Sequence, residues 1–244
     1  IHPTWERDFM KGLLPSPSSS SSNNKQPYIV GLVGMPGSGK TISGKILCDL
    51  LNENNKNDAI VLPMDGYHYS LEKLNSMNNP KDLVYRRGAP DTFDVTALKN
   101  DLHQIKYGSE DGLTCTIFDP SNVNNASDSA VVRIPGFDHA IGDPIPNVHI
   151  FDRDKHNIVI MEGLYLLHQD QYNRNDWNGV TNYFDETIYI DMELKICMER
   201  LKKRNLCLPG YTTPDEIDQR VDIVDHQNAL LVQHTKHRAN TIVI

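Results

Sequence analysis

A glycine-rich segment that ends in lysine and threonine carries the clearest chemistry in this sequence. It fits the pattern G-x-x-x-x-G-K-[ST] and consists of Gly34, Met35, Pro36, Gly37, Ser38, Gly39, Lys40 and Thr41. Its glycines allow successive backbone N–H groups to turn toward an anion without clashes from Cβ atoms. Lys40 is expected to reach the β- and γ-phosphates, and the Thr41 hydroxyl to bind Mg²⁺. The segment therefore predicts a nucleoside triphosphate site, with ATP and Mg²⁺ as the expected occupants.

The residues on either side of this segment fit the same interpretation. An apolar run over Tyr28–Gly34 enters it, and an amphipathic stretch leaves it. A helix that begins there would add the positive end of its dipole to the phosphate site. The dinucleotide-binding pattern G-x-G-x-x-G is absent, because Ile42 stands where its last glycine would be. A glycine-rich turn with a chance lysine is the alternative.

Two acidic residues end apolar runs and are candidates for catalysis and metal binding. Asp65 follows residues 59–64, and Glu162 follows residues 158–161. Ligands of open α/β sheets lie at the carboxyl ends of the strands, so both acids are expected at the nucleotide. Asp65 could take a proton from an attacking hydroxyl or hold Mg²⁺ through water, and Glu162 could position Mg²⁺. Because Asp-Gly is a common turn signal, a purely local capping role for Asp65 is the alternative.

A basic helix is predicted over residues 194–204. Arg200 and Arg204 are four residues apart and therefore share one face. The connection that follows, residues 206–213, contains Pro209 and Gly210 and is expected to be irregular. This combination suits a small lid whose arginines neutralise charge on a transferring phosphoryl group. A solvated basic face is the alternative.

Two polar and aromatic clusters lie in predicted loops, where binding groups usually reside. The first contains Arg86, Arg87 and Phe93, followed by Asp94 as the expected N-cap of a helix over residues 95–107. The second comprises residues 135–139, ahead of Asp143 and Pro144. The two arginines could hold an acceptor phosphate or carboxylate by bidentate pairing. Ordinary solvated loops are the alternative for both clusters.

The wider pattern predicts an α/β fold. Short apolar runs alternate with helical stretches, which is typical of a parallel sheet with crossover helices. Nearly continuous apolar runs indicate strands covered by helices on both faces. The strand candidates are residues 28–34, 59–64, 157–161, 186–191 and 241–244, with two further strands at 114–119 and 131–135 around a polar loop at 122–129. Helical stripes are expected from residue 42 to 51 and from residue 215 onward.

The first part of the chain differs in composition from the rest. A serine-rich stretch over residues 16–22 reads as a flexible linker. Before it, Trp5, Phe9, Leu13 and Leu14 lie at helical spacing and could dock on this domain or on a partner subunit of a homodimer. We therefore divide the chain into an arm with its linker, residues 1–27, and a nucleotide-binding domain, residues 28–244.

Charge and cysteine content narrow the class of protein. The 244 residues contain 24 Lys and Arg against 32 Asp and Glu, a formal net charge of −8. No basic excess exists to displace counterions from nucleic acid, and no run of about 18 apolar residues suggests a membrane span. The 4 cysteines form no C-x-x-C pair, which predicts free thiols in the reducing cytoplasm. The chain begins with Ile1 rather than Met, which leaves organellar import open.

Taken in order, these motifs resemble the phosphoribulokinase, uridine kinase and pantothenate kinase family of P-loop kinases. The resemblance extends from about residue 28 to 244 and is nearest to the branch that carries M-D-G-[FY]-H and R-R-G-[AS]-P. Its motifs here are residues 34–41, 63–68, 86–94, 137–139 with Asp143 and Pro144, Glu162 with Gly163, Arg200 with Arg204, and 225–228.

The resemblance implies a small-molecule kinase with a five-stranded parallel sheet of the P-loop NTPase type and a mobile lid. It casts Asp65 as the catalytic base, with Lys40, Arg200 and Arg204 as further catalytic residues and Thr41 and Glu162 around Mg²⁺. It also implies that five residues face the acceptor, namely His68, Arg87, Phe93, His139 and Asn228. We add three residues to the predicted acceptor site: Arg86 and Phe137, which lie in the two loop clusters, and Tyr165, which follows the strand that ends near Glu162. A sugar, polyol, nucleoside or pantothenate-like hydroxyl would suit this polar, aromatic pocket.

Two other functions remain open from the residues alone. Asn55, Lys56 and Asp58 spell the guanine-reading pattern N-K-x-D, which is typical of P-loop GTPases and switch proteins. Its position directly after the first predicted helix disfavours that reading, because a guanine reader belongs on a later loop near the base. A catalytically weak ATP-binding scaffold is the second alternative.

Overall fold

The computed structural model describes residues 26–53, 58–108, 130–169, 177–207 and 213–244. Its strands, in chain order, are β1 (Tyr28–Gly34), β2 (Ala59–Pro63), β3 (Val131–Asp138), β4 (Asp143–Asp152), β5 (Ile158–Gly163), β6 (Glu186–Ile190) and β7 (Thr241–Val243). Its α-helices are α1 (Lys40–Asn52), α2 (Leu71–Ser76), α3 (Pro80–Tyr85), α4 (Val95–Tyr107), α5 (Leu194–Asn205), α6 (Pro214–Gln219) and α7 (His226–His234).

A five-stranded parallel sheet forms the centre of the fold, in the order β2-β5-β1-β6-β7. Every residue of β1 after Tyr28 is buried, as expected for a central strand between two layers of helices. The predicted α/β fold with five parallel strands is therefore confirmed, and each predicted strand of this sheet is present with ends shifted by at most two residues. The predicted domain boundary at residue 27 stays a prediction, because residues 1–25 lie outside the described ranges.

The register of the sheet decides which residues meet at its carboxyl edge. Glu162 of β5 stands opposite Leu32 of β1 and Pro63 of β2. The three strands therefore end almost level with one another. Consequently the loop after Gly34, the turn after Pro63 and the end of β5 lie side by side.

Helices cover both faces of the sheet. On one face, Leu47 of α1 packs with Val30, Leu32 and Ile160. On the other face, side chains of α4, α5 and α7 join a larger core that includes Phe93, Tyr165 and Trp177. Among the helices of the described residues, none combines the length and hydropathy that a membrane span requires. Cys48, Cys197 and Cys207 are free thiols, as predicted, and Cys115 lies outside the described residues.

Local signals set several helix ends. The Asp94 carboxylate accepts the backbone N–H of Ala97 at 2.9 Å, which confirms its predicted role as N-cap of α4. Thr213 caps α6 in a capping box with Glu216. The helix predicted from residue 215 is interrupted, because a π-helical segment over Arg220–Asp225 separates α6 from α7. Such wide turns often occur at functional sites.

An antiparallel hairpin of β3 and β4 stands apart from the main sheet. The strand predicted at residues 131–135 is present and extends to Asp138, whereas its partner β4 was not predicted. The sequence pattern did not predict β4 because the strand contains Pro144 and Pro146, and proline is unusual inside strands. The strand and loop predicted at residues 114–119 and 122–129 lie outside the described residues. The hairpin rests on the turn after β2, where a Cβ on Gly66 would lie 2.1 Å from the Pro135 carbonyl oxygen.

Candidate active site

The segment from Gly34 to Thr41 forms a tight loop between β1 and α1, which we call the P-loop. Gly37 and Gly39 have φ angles of 82° and 97°, a region that other residues rarely adopt. A Cβ on Gly37 would also lie 2.5 Å from the carbonyl oxygen of Cys197 in α5. Glycine is thus required at Gly37 both for its conformation and for the close contact between this loop and the first turn of α5.

One hydroxyl in the P-loop is buried without a partner. Ser38 donates its backbone N–H to the Met35 carbonyl at 3.0 Å, but its Oγ atom has no hydrogen-bond partner within the described residues. A buried polar atom without a partner is unfavourable unless a ligand or water satisfies it. The N-terminus of the 13-residue α1 begins two residues further on, at Lys40. An anion in this loop would meet both groups.

Thr41 and Glu162 are in direct contact. The Thr41 Oγ1 atom donates a hydrogen bond to Glu162 Oε2 at 2.9 Å. Burial raises the pKa of Glu162, the charge of Asp65 raises it further, and the charge of Lys40 lowers it. Lys40, Thr41, Asp65 and Glu162 therefore share one electrostatic environment at the end of the sheet. A hydroxyl beside a buried carboxylate is a donor set that suits Mg²⁺, which binds one or two protein oxygens together with water and phosphate oxygens.

Asp65 lies in a 3₁₀ turn, Met64–Tyr67, that directly follows β2. The carbonyl oxygen of Asp65 accepts the backbone N–H of His68 at 3.2 Å and contacts His68 Nδ1 at 2.7 Å. The capping positions of this turn are Pro63 and His68, so the Asp65 carboxylate is not used as a cap. The local interpretation is therefore not met in this turn, and the chemical role of Asp65 stays a prediction.

The basic helix predicted over residues 194–204 is present as α5, and it packs against the P-loop. The Nη1 atom of Arg200 lies 3.4 Å from the carbonyl oxygen of Gly37. Arg204, one turn later, is exposed. Burial raises the pKa of Asp225, and the charges of Arg220 and Arg204 oppose this rise only in part. Arg200 therefore stands at the phosphate loop and Arg204 stands further toward the π-helical segment. Most of the predicted lid connection lies outside the described residues.

An aromatic group lies beside Asp65. The His68 ring stands 4.0 Å from the Phe93 ring and 4.9 Å from the Phe137 ring, measured between centroids. The exposed His139 ring is 5.2 Å from Phe137. Burial lowers the pKa of His68, and the charge of Asp65 opposes this effect only in part. His68 is thus neutral at pH 7, with the Nδ1–H assigned toward the Asp65 carbonyl and Nε2 left as an acceptor.

The two arginines of the first cluster are engaged within the protein. Residues 86–93 form what we call the acceptor loop. Arg86 binds Asp82 through Nε at 2.6 Å and Asp91 through both terminal nitrogens. Arg87 binds Asp143 and the Tyr69 carbonyl, each at 2.7 Å, and also the Gly142 carbonyl. Both side chains lie in the predicted region, but they hold the loop together.

Tyr165 and Asn228 approach the acceptor loop from its inner side. The buried Tyr165 hydroxyl donates a hydrogen bond to the Gly88 carbonyl at 2.7 Å. Asn228 is also buried, and its Nδ2 atom would lie 3.5 Å from a Cβ on Gly88. Gly88 has a φ angle of 100°, so the backbone conformation at this position depends on glycine, whereas a Cβ there would make only an ordinary contact with Asn228. Tyr165 and Asn228 therefore both lie against the acceptor loop at Gly88 and help to hold its conformation.

Arg220 is a residue that the sequence analysis missed. From the π-helical segment, its guanidinium donates to the carbonyls of Tyr85 and Arg87 and lies 3.7 Å from the Asp225 carboxylate. Its contact with Tyr85 joins positions 135 residues apart in the chain. No local pattern could have indicated it. Asp91 and Asp143 were visible in the motifs, but their pairing with Arg86 and Arg87 was not predicted.

Of the guanine-reading pattern, the structure describes only its last residue, Asp58. Asn55 and Lys56 lie outside the described residues, whereas Asp58 immediately precedes β2 and its carbonyl accepts the N–H groups of Asn157 and Ile158. These positions are at the amino edge of parallel strands. The P-loop, Asp65 and Glu162 lie at the carboxyl edge, so Asp58 does not face the nucleotide site.

Comparison with known proteins places the chain among kinases. No protein-family profile matches it. It is 31% identical over 211 residues to a Schizosaccharomyces pombe protein provisionally named a uridine kinase, with coverage of 86% of this chain and 80% of that protein. It is 33% identical over 219 residues to the ATP-dependent kinase YFH7 of Zygosaccharomyces rouxii, which spans 82% of this chain but only 55% of the relative. The chain thus spans about half the length of that YFH7 kinase.

Solved structures agree on the fold. A structure provisionally described as a fructose transport system kinase from Silicibacter has a TM-score of 0.75 at 24% identity, and 98% of each chain is covered. YFH7 from Saccharomyces cerevisiae, described as a P-loop kinase with a circular permutation, has a TM-score of 0.68 at 20% identity, with 90% of this chain and 93% of that chain covered. At these identities the likeness concerns the fold alone.

Proposed function

The chain belongs to the uridine kinase-like family of P-loop ATP-dependent kinases, and we propose that it transfers the γ-phosphoryl group of ATP to a hydroxyl of a small metabolite. The observation that carries this proposal is the 2.9 Å contact between Thr41 and Glu162 beside Asp65. It joins a phosphate loop, a pair of metal-binding oxygens and a separate carboxylate at one sheet edge. A nucleotide-binding switch needs no such third group.

Asp65 is the proposed base. The acceptor oxygen attacks the γ-phosphorus while its proton passes to the Asp65 carboxylate, and the bond from that phosphorus to the bridging oxygen of ADP breaks. Asp65 suits this role because its turn directly follows β2 at the P-loop edge. Its carboxylate also influences Glu162 and His68, so it lies between the phosphate site and the aromatic group.

The phosphate side is built from the P-loop and α5. Backbone N–H groups of the loop hold the β- and γ-phosphates, and Lys40 adds a charge there. Thr41 and Glu162 would hold Mg²⁺, which would neutralise phosphate charge when bound. The Arg200 guanidinium lies 3.4 Å from the Gly37 carbonyl oxygen. In the proposed reaction it stabilises the negative charge that develops on the transferring phosphoryl group. Arg204, one turn further along α5, is the second arginine proposed for this side.

The acceptor side is built from the aromatic group and its neighbours. His68, Phe93 and Phe137 offer ring faces against which the carbon skeleton of a small molecule can pack. His139, Tyr165 and Asn228 border the same region. The proposed partner is therefore one small molecule with a free hydroxyl.

The experiment that tests this function is acceptor-dependent release of ADP. The full chain is incubated with ATP, Mg²⁺ and compounds from the sugar, polyol, nucleoside and pantothenate classes. We expect ADP release above the ATP-only background with at least one compound, and a phosphorylated product by mass spectrometry. ADP release that is the same with and without every compound would contradict the proposal.

A further inference from the structure

The charges around the acceptor loop bear on the class of molecule that binds there. Arg86 forms three hydrogen bonds to acids of this chain: its Nε atom binds Asp82, and its two terminal nitrogens bind both oxygens of Asp91. A guanidinium recognises phosphate or carboxylate through paired N–H groups on one edge. In Arg86 that edge is already occupied by a carboxylate of this chain, so it has none to offer to an anionic acceptor.

Arg87 is in a comparable state. Its terminal nitrogens bind Asp143 and the carbonyls of Tyr69 and Gly142, and its Cζ atom lies 5.4 Å from the centroid of the Phe137 ring. Only the buried Nε atom has no partner within the described residues. One N–H group can bind a hydroxyl oxygen, but it cannot form the paired contact that a phosphate or carboxylate prefers.

The guanidinium of Arg220 is also engaged by groups of this chain. Arg220 donates to the carbonyls of Tyr85 and Arg87 and faces Asp225. At the Tyr165 hydroxyl, burial raises the pKa most, and the charges of Asp225, Asp91 and Asp65 raise it further. The charge of Arg220 opposes those three carboxylates. The positive charge of Arg220 is thus directed at this chain's own carbonyls and at Asp225, and it leaves no paired edge for an anion.

Two further polar groups beside the ring faces accept hydrogen bonds. The Nδ1–H of His68 is assigned toward the Asp65 carbonyl at 2.7 Å, which leaves its Nε2 atom as an acceptor. The Asp65 carboxylate is itself an acceptor for the reacting hydroxyl. Ring faces of Phe93 and Phe137 flank His68. Apolar faces with several acceptors match a carbon skeleton that carries several hydroxyl groups.

We propose that the acceptor is an uncharged polyhydroxy compound and that a phosphate or carboxylate on it strongly reduces its use. The three guanidinium groups near the acceptor loop bind this chain's own carboxylates and carbonyls, and they act as its scaffold. This inference rests on the proposed kinase function. It narrows that function by the charge of the substrate.

The test uses matched pairs of compounds that differ in charge. Suitable pairs are glycerol with glycerate, panthenol with pantothenate, and uridine with its 6-carboxylate, orotidine, because each charged compound keeps a free primary hydroxyl group. We measure acceptor-dependent ADP release by the full chain with Mg²⁺ and ATP. We expect the best neutral compound to have a kcat/KM at least about tenfold above that of its anionic partner.

The outcomes separate this inference from the function on which it rests. If an anionic compound is used as well as or better than its neutral partner, the inference is overturned and the kinase function stands. Silence from both members of every pair would overturn the kinase function and the inference together.

Two variants test the physical cause. Asp91→Asn removes one negative charge and releases the paired edge of Arg86, so it should narrow the preference for neutral over anionic acceptors several-fold. Asp82→Asn is the matched control, because it frees only the Nε contact of the same arginine and its side chain is 60% exposed. Asp143→Asn should act like Asp91→Asn through Arg87. An unchanged preference in both Asp91→Asn and Asp143→Asn, with ATP binding intact, would contradict the proposed cause.

Discussion

The Thr41 hydroxyl donates a hydrogen bond to the Glu162 carboxylate at 2.9 Å, and this contact joins the first turn of α1 to the end of β5. Glu162 is buried, and that burial raises its pKa. A buried acid at the end of a strand destabilises the folded chain when it ionises. The proposed function accounts for this position, because it assigns Glu162 to the binding of Mg²⁺ beside the nucleotide.

Replacing Glu162 should therefore separate stability from metal binding. Glu162→Gln keeps an oxygen that can accept from Thr41 but removes the buried charge. We expect the variant without Mg²⁺ and nucleotide to unfold at a higher temperature than the original protein at pH 7, and its affinity for Mg²⁺·ATP to fall about 10- to 100-fold. Thermal unfolding with and without Mg²⁺·ATP measures both. A less stable variant with unchanged affinity would contradict this account, and exposed Glu199→Gln is the control.

Lys40 should act on the bound nucleotide and on turnover together. Its charge lowers the pKa of Glu162 in part. The P-loop motif predicts that its side chain reaches the β- and γ-phosphates. Because a hydrogen bond to a charged group contributes about 1.5–3 kcal/mol, Lys40→Met should weaken ATP binding by about 10- to 100-fold. Calorimetric titration with ATP and steady-state turnover check this. Exposed Lys81→Met should leave both unchanged. Unaltered ATP binding in Lys40→Met would contradict the assignment.

Arg200 should serve the transition state more than the ground state. Its guanidinium is exposed and contacts only the Gly37 carbonyl within the described residues, at 3.4 Å. We expect Arg200→Met to lower kcat about 100-fold and to raise the KM for ATP much less, with a similar split for Arg204→Met. Lys203→Met tests whether loss of any exposed charge on α5 suffices. If Arg200→Met raised the KM for ATP by as large a factor as it lowered kcat, Arg200 would be assigned to nucleotide binding instead.

The pH dependence of stability should reveal Asp101. Burial raises the pKa of Asp101 from 3.8 to about 6, while the hydrogen bond from the Tyr67 hydroxyl lowers it in part. Between these two values the folded state holds a proton that the unfolded state has released, so stability falls as the pH rises through this window. Asp101→Asn keeps an acceptor for Tyr67 and removes this loss.

Denaturant unfolding at several pH values measures the difference. We expect Asp101→Asn to match the original protein near pH 4 and to exceed its free energy of unfolding by up to about 3 kcal/mol at pH 7.5. Asp49→Asn, at an exposed position on α1, should show no such trend. A difference that does not change with pH would exclude Asp101 as its source.

Much of the site could be predicted because it depends on local sequence and on one rule of topology. The glycine pattern specifies the P-loop, and Asp65 and Glu162 each end an apolar run. Parallel strands then bring these ends to one edge. The register of Pro63 with Glu162 realises that expectation.

The parts that could not be predicted depend on contacts between distant residues. Arg220 reaches carbonyls more than 130 positions away, and β4 is defined by its pairing with β3 and carries two prolines. Arg86 and Arg87 were predicted as substrate ligands from their chemistry. Whether a guanidinium binds a ligand or an acid of its own chain is decided by geometry that spacing alone does not contain.

The central claim is that Asp65 accepts the proton of the attacking hydroxyl, and Asp65→Asn tests it most directly. The measurement is single-turnover phosphoryl transfer from ATP to the best acceptor of the panel, together with ATP affinity for the same protein. We expect the rate to fall by about 10²- to 10⁴-fold while ATP affinity stays within about twofold. A transfer rate within about tenfold of the original protein, with the same product, would contradict the role of Asp65 as base.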